Sequence, residues 1–214
     1  RDRMKALPFT KYSINGNPVA CPICGSSDST TISKFDRRFK ILPHCKCNEC
    51  ALVRHKFMLS DDQLADYYSN SYRKDYQRVS FGPTLKHVSK RAHEARSRLA
   101  KLEAYSIKNA KVLDFGCGSG EFVELMQTKG AISRGFEPGS LYASYAKEQK
   151  GLNVENCGWE NYDCNEKMDL ITSFHVFEHL TNPLKAFQKA VSWLEEDGLI
   201  YLEVPNLANL LNLK

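Results

Sequence analysis

The chain has 214 residues, 42% hydrophobic and 26% charged, with 30 basic against 25 acidic residues and a formal net charge of +5. These are ordinary globular values; they exclude disorder along the whole length and fit one or two domains of roughly 150 residues. No run of about 18 apolar residues is present to span a membrane. The start, Arg1-Asp2-Arg3, with Pro8 and Asn15-Gly16-Asn17-Pro18 close behind, lacks the apolar stretch of a secretory signal, so a cytoplasmic location is expected. Opening on Arg1, the sequence reads as trimmed, and the mild basic excess permits an anionic partner without requiring one.

Residues 1–58 read as a small metal-binding domain. Five of the eight cysteines fall between Cys21 and Cys50, with short β-like pieces around Thr30-Thr31-Ile32 and Ala51-Leu52-Val53. Cys21-Pro22-Ile23-Cys24 and Cys47-Asn48-Glu49-Cys50 are two CxxC pairs. Each pair can bite one ion from a tight turn, and two such turns supply the four thiolates of a closed, structural zinc site. Gly25 suits a turn after the first pair, whereas Ala51 stands at the matching place in the second. His44 and Cys45 crowd the second pair and are alternative ligands to Cys47. Cys117, Cys157 and Cys164 lie outside the cluster and read as free thiols, not nucleophiles.

Residues 59–83 form a link. Ser60-Asp61-Asp62-Gln63 carries a capping box, Ser60 with Gln63 three residues on, and opens a helix towards Tyr67 and Tyr68. Tyr72 and Tyr76 follow, and these tyrosines either lid a substrate site or pack between domains. The remainder, residues 84–214, begins with a helix from Thr84 to about Tyr105, with Leu85, Val88, Ala92, Ala95, Leu99 and Leu102 at three- and four-residue steps. Its other face holds Lys86, Lys90, Arg91, Arg96, Arg98 and Lys101, which is solvated helix surface or a stripe that tracks phosphates.

Strands then alternate with helices. The expected strands are Lys111–Phe115, Ala131–Phe136, Leu152–Val154, Met168–Phe174 and Leu199–Val204. Helices are expected at Glu121–Lys129, at Leu141–Lys150 and from Asn182-Pro183, where proline follows a cap. The pattern predicts an α/β fold with a parallel sheet.

Val112-Leu113-Asp114-Phe115-Gly116-Cys117-Gly118-Ser119-Gly120 is the most informative stretch. Three glycines between strand and helix let the backbone approach a ligand. Glu137, seventeen residues after Gly120, stands where an acid accepts ribose hydroxyls. A dinucleotide site wants G-x-G-x-x-G or G-x-G-x-x-A, but Glu121 occupies the third position. An acid, Asp114, two residues before the first glycine would repel a pyrophosphate and suit a cofactor with an amino group and a sulfonium, S-adenosylmethionine (SAM).

These residues resemble motif I of the class I SAM-dependent methyltransferases. Gly135–Gly139 resembles their second motif, Asp169–Leu180 with Asn182-Pro183 the fourth-strand motif, and Leu199–Asn206 the fifth strand. The resemblance spans residues 110–206. It implies a Rossmann-like core, here missing the last two strands of the family. It also implies SAM contacts from Asp114, the backbone of Gly116, Cys117 and Gly118, Glu137 on the ribose, Gly158 and Trp159 beside the adenine, and Phe174 and His175. A tryptophan is as often a core residue. His179 is the candidate base for methyl transfer, with Glu178 orienting it and His175 as the substitute; the Glu-His pair is otherwise structural. His175-x-x-Glu178-His179 also spells a zinc-protease pattern, discounted because it ends a strand and not a long helix.

The domain order, zinc ribbon then tyrosine-rich link then core, looks like bacterial methyltransferases of sugars and surface glycans. This implies O-methylation of a sugar hydroxyl in a glycan, lipopolysaccharide or nucleotide-sugar, within polysaccharide biosynthesis. The alternatives are an RNA methyltransferase, which the basic helix would suit, and a non-catalytic module that binds zinc and SAM.

Overall fold

The computed structural model describes residues 16–36, 39–66, 82–102 and 104–206. The tyrosines of the link, the helix's continuation to Tyr67 and Tyr68, and the stretch from Leu207 lie outside the described residues. The chain divides into two compact units: one ends at Leu64 and takes in Thr181–Leu184, and the other comprises Ala65–Leu180 and the residues from Lys185 onward. Among the described residues, no helix is long and apolar enough to cross a membrane.

In the first unit β1 (Asn17–Pro18) pairs antiparallel with β5 (Phe57–Met58). β2 (Ser29–Phe35), β3 (Ile41–Cys47) and β4 (Val53–His55) form a three-stranded antiparallel sheet. Helix α1 (Asp61–Asp66) starts on the expected capping box. The Gln63 amide donates to Ser60 Oγ at 3.3 Å, and the Ser60 amide donates to Gln63 Oε1 at 3.0 Å.

In the second unit, α2 (Leu85–Ala100) is capped by Thr84, whose hydroxyl accepts from the His87 amide. The helix ends five residues before Tyr105, and Leu102 follows it in a turn. Leu85 is 85% exposed and does not join the apolar face, because it sits in the first turn, ahead of the stretch that meets the sheet. Arg98, assigned from sequence to the opposite stripe, is buried instead.

β6 (Lys111–Phe115), β7 (Ile132–Phe136), β8 (Val154–Glu155), β9 (Met168–Phe174) and β10 (Leu194–Glu203) form one parallel sheet in the order β10-β9-β6-β7-β8. Strand alternation divides the core. Leu113, Phe115 and Ile171 point to one face, with Phe136, Trp159, Tyr162, Ala186 and Trp193; Val112 and Leu170 point to the other, with Ala95, Phe122 and Met126. Fully buried side chains such as Leu113 and Ile171 contribute about 1.5–3 kcal/mol each.

α3 (Glu121–Thr128), α4 (Ser140–Ser144) and α5 (Pro183–Ser192) connect the strands. Besides α2, three elements differ from the sequence expectation. The helix after β7 changes to a π turn over Tyr145–Gln149, β8 is shifted to Val154–Glu155, and β10 begins at Leu194. In β10 the Asp197-Gly198 turn is an irregularity in the pairing between Leu194 and Leu199, and not the boundary before the strand.

Candidate active site

The sheet reverses direction at β6: the chain goes from β6 outward through β7 and β8, then returns to β9 on the other side. In such sheets ligands bind beyond the carboxyl ends of the strands at this switch point. Every sequence-predicted cofactor and catalytic residue lies on a strand or loop of this unit.

The glycine turn after β6 takes left-handed backbone angles at Gly116, Gly118 and Gly120 (φ 75, 57 and 79°). At Gly116 a Cβ would lie 2.6 Å from Val176 Cγ2, and at Gly120 it would lie 2.5 Å from Leu152 Cδ1. At Gly118 a Cβ would meet nothing within 4 Å, so the turn is packed at both ends and open in the middle. Glu137, 7% exposed at the end of β7, fastens it. The Gly118 amide donates to Glu137 Oε2 at 3.0 Å and the Gly139 amide donates to Oε1 at 2.9 Å. Asn156 Nδ2 donates to the Glu137 carbonyl at 2.8 Å.

Asp114 is buried, and Thr172 Oγ1 on β9 donates to its Oδ1 at 2.7 Å. Burial, opposed by that hydroxyl and by Arg98 and reinforced by Glu121 and Glu137, pushes its carboxyl up to about 7. Burial and the nearby Asp114 and Glu137 charges push the Cys117 thiol well above its usual range, which keeps it protonated and unsuited to be a nucleophile. Asp114 and Glu137 beside the open turn favour a cationic ligand over a pyrophosphate, while the third carboxylate, Glu121, pairs with Lys150 at 3.3 Å. The chemistry of the donor set therefore fits an amino group and sulfonium near Asp114 and ribose hydroxyls near Glu137.

Gly158 begins a turn, its carbonyl accepting from the Asn161 and Tyr162 amides at 3.1 Å. Trp159 is buried in the apolar core with Tyr162 and Trp193, which is the packing alternative for this residue. The Phe174 ring meets Phe122 and Tyr201 edge-on, with the Arg98 guanidinium 4.2 Å from its centroid.

Beyond β9 the structure brings His175, Glu178 and His179 together. Phe177–His179 is a short 3₁₀ turn, not the long helix a zinc-protease pattern needs. Glu178 Oε1 lies 3.4 Å from His175 Nδ1 and 3.7 Å from His179 Nε2. Sequence reasoning missed Glu203, whose Oε1 lies 3.2 Å from His175 Nε2, and Arg98, whose Nη2 donates to that oxygen at 2.7 Å. It also missed Thr172 and Asn156. For these two, the signal was a polar residue inside or just after a strand of the sheet.

In the other unit Cys21, Cys24, Cys47 and Cys50 bring their sulfurs within 4.8 Å of one another. Tetrahedral zinc at 2.3 Å requires sulfurs about 3.8 Å apart, so the set fits that ion. The two turns match. The Gly25 amide donates to the Cys21 carbonyl at 2.8 Å and the Ala51 amide to the Cys47 carbonyl at 3.0 Å, both residues left-handed (φ 74 and 62°). Ala51 thus adopts the angle glycine would take, at a cost of about 1–2 kcal/mol. Against burial, amides of Cys24 and Ile23 and the neighbouring thiols bring Cys21 down to about 6. Against the Leu52 amide, burial and the other three thiols push Cys50 up to about 12. Such repulsion among four sulfurs is what a divalent cation relieves. Cys45 lies within β3, paired with Thr31 and Arg54, and the His44 ring meets that of His55 at a tilt with centroids 4.8 Å apart, so neither replaces Cys47 in the cluster.

Residues 87–212, more than half of the chain, match the family described as methyltransferase domain. A ubiquinone biosynthesis O-methyltransferase of Haemophilus ducreyi is 32% identical over 115 residues, 49% of this chain and 49% of that protein. One of the same name from Glaesserella parasuis is 36% identical over 107 residues, 45% of each. The chain spans about half the length of the curated relatives it matches. Magnesium protoporphyrin IX methyltransferase (ChlM) from Synechocystis PCC 6803 with bound SAM has a similar fold, with a TM-score of 0.51, 17% identity, and coverage of 64% of this chain and 74% of that one. With its switch point at β6, its open glycine turn and a match over most of the second unit, the chain belongs to the methyltransferase-domain family and carries that family's Rossmann-like fold.

Proposed function

We propose that the protein transfers a methyl group from SAM to a hydroxyl oxygen, with a sugar hydroxyl of a glycan, lipopolysaccharide or nucleotide-sugar as acceptor. The observation that carries the SAM assignment is the open turn at Gly118 fastened by Glu137, with buried Asp114 below it. The backbone of Gly116, Cys117 and Gly118 lines the site, Asp114 faces the amino group and Glu137 takes the ribose hydroxyls. Gly158 and Trp159 flank the adenine, and Phe174 and His175 close the β9 side. SAM, when bound, supplies a methyl group on a positive sulfur that leaves as a neutral thioether. The leaving side therefore needs no acid.

What remains for the protein is to orient the acceptor and receive its proton. His179 is the candidate base, Glu178 lies between the two histidines, and His175 is the second candidate. An aliphatic hydroxyl is a weak acid and needs such a base, which supports a sugar as acceptor. Cys21, Cys24, Cys47 and Cys50 hold a structural zinc that folds their unit.

The relatives named for ubiquinone biosynthesis favour a second acceptor, a hydroxyl of a ubiquinone precursor. The RNA reading keeps only part of its basic stripe, with Lys86 and Arg96 exposed. Arg98 is buried against Glu203, and Lys90 and Arg91 both pair with Glu94 at 3.7 and 2.7 Å. The test is mass spectrometry after incubation with methyl-labelled SAM and separate pools of nucleotide-sugars, glycans, ubiquinone precursors and RNA. Label in a sugar is the expected result. Label in RNA alone overturns the proposal, and SAM binding with no labelled product in any pool leaves a binding module.

A further inference from the structure

We infer that Glu203, held by Arg98, is a positioning residue that fixes the imidazole of His175 at the carboxyl edge of the sheet. The inference rests on the reading that His175, Glu178 and His179 handle the acceptor's proton.

Glu203 is the last residue of β10 and holds His175 twice. Its carbonyl accepts from the His175 amide at 2.8 Å, extending the β9–β10 ladder one residue past the Glu203–Phe174 pair. Its carboxylate Oε1 lies 3.2 Å from the ring Nε2. His175 needs this hold, because its backbone is left-handed (φ 59°). For a residue with a side chain that costs about 1–3 kcal/mol and persists only where the surroundings over-determine it.

The carboxylate is itself fixed. Arg98 donates to Oε1 through Nε at 3.2 Å and Nη2 at 2.7 Å. The Arg98 side chain is 8% exposed, and its guanidinium lies over the Phe174 ring. Phe174 is in turn held by Phe122 and Tyr201. Lys101 Nζ lies 3.8 Å from Oε2. The Arg98 hydrogen bonds hold the Glu203 carboxyl below its ordinary range, so it remains an acceptor.

A carboxylate cannot donate, so it pairs with the ring nitrogen that carries hydrogen. In a neutral ring that nitrogen is Nε2. Glu178 Oε1 competes for the hydrogen from 3.4 Å at Nδ1, but Glu203 is closer, at 3.2 Å, and is fixed by Arg98, so the lone pair is left on Nδ1. The row Arg98–Glu203–His175–Glu178–His179 thus sets which ring atom is available for chemistry. An ion pair that only ties α2 to the sheet would not select a tautomer.

The test is a long-range ¹H–¹⁵N spectrum of the histidine-labelled protein at pH 8, without SAM or acceptor, with the His175 signal assigned by its loss in His175→Gln. The wild type is expected to show the Nε2–H form. Glu203→Gln and Arg98→Met are each expected to bring up the Nδ1–H form, while Lys101→Met changes nothing. If one variant fails to fold, the other decides. An Nδ1–H ring in the wild type, or an unchanged Nε2–H ring in both variants, overturns the inference. Full methyl transfer by His175→Gln would instead remove His175 from the proton handling, leave that task to His179, and leave the tautomer result standing.

Discussion

Replacing Asp114 with asparagine should stabilise the ligand-free protein above neutral pH and weaken its hold on SAM. Burial raises the Asp114 carboxyl from its ordinary 3.8 to about 7, with Glu121 and Glu137 adding to the effect. Between those two values the folded state keeps a proton that the unfolded state releases. Stability contributed by this group therefore falls as pH rises from about 4 to about 7 and stays lower above that. The gap corresponds to about 4 kcal/mol at full ionisation, of which about 2–3 kcal/mol falls between pH 5 and pH 8. Asparagine keeps the shape and can accept the Thr172 hydroxyl, but has no charge to bury. Urea denaturation at pH 5 and pH 8 should show the Asp114→Asn variant gaining about 2–3 kcal/mol on the wild type across that interval. By calorimetry the wild type should release a proton on binding SAM at pH 6, because a cationic partner favours the ionised carboxylate, and Asp114→Asn should bind SAM less tightly. A stability difference that is flat from pH 5 to pH 8, with no proton released, would refute the reasoning.

Cys47→Ser should lower bound zinc, measured by plasma mass spectrometry, and loosen the first unit, read as faster proteolysis between Gly16 and Leu64; a strong chelator should do the same to the wild type. Gly120→Ala should cost about 2–3 kcal/mol in urea denaturation, since it adds left-handed strain to contacts with Leu152 Cδ1 at 2.5 Å and Ala146 Cβ at 3.1 Å. Gly118→Ala carries the strain alone, about 1 kcal/mol, but its methyl enters the open middle of the turn, so SAM binding should suffer more than stability. Leu85→Lys should leave stability within about 0.5 kcal/mol, because the side chain is already in solvent.

What the sequence disclosed was local. The capping box, the CxxC pairs and the glycine turn are decided within a few residues, and each forms as its residues require. The alternation of strands and helices disclosed the parallel sheet, because a strand buried on both faces reads as a mostly apolar run, as Val112–Phe115 does with Asp114 alone interrupting it. Arg98 was hidden because helical periodicity places it on a basic face. Its side chain is decided by Glu203, which is 105 residues away in sequence. The left-handed backbone of Ala51 was legible only through its match to Gly25, and that of His175 was hidden because histidine favours a positive φ too weakly to mark one position. Trp159 packs with Tyr162 and Trp193, neighbours that its own position in the sequence does not name. The change from α to π geometry at Tyr145 had no signal in the spacing of its apolar residues.

The most direct measurement is titration calorimetry of the protein and of Glu137→Gln with SAM and, separately, with NAD. Losing the charge on a group that accepts ribose hydroxyls should remove about 1–1.5 kcal/mol, or roughly tenfold in affinity. The expected outcome is one SAM site in the wild type, a roughly tenfold weaker one in the variant, and no heat with NAD. Binding of NAD, or equal affinity of both proteins for SAM, would contradict the account.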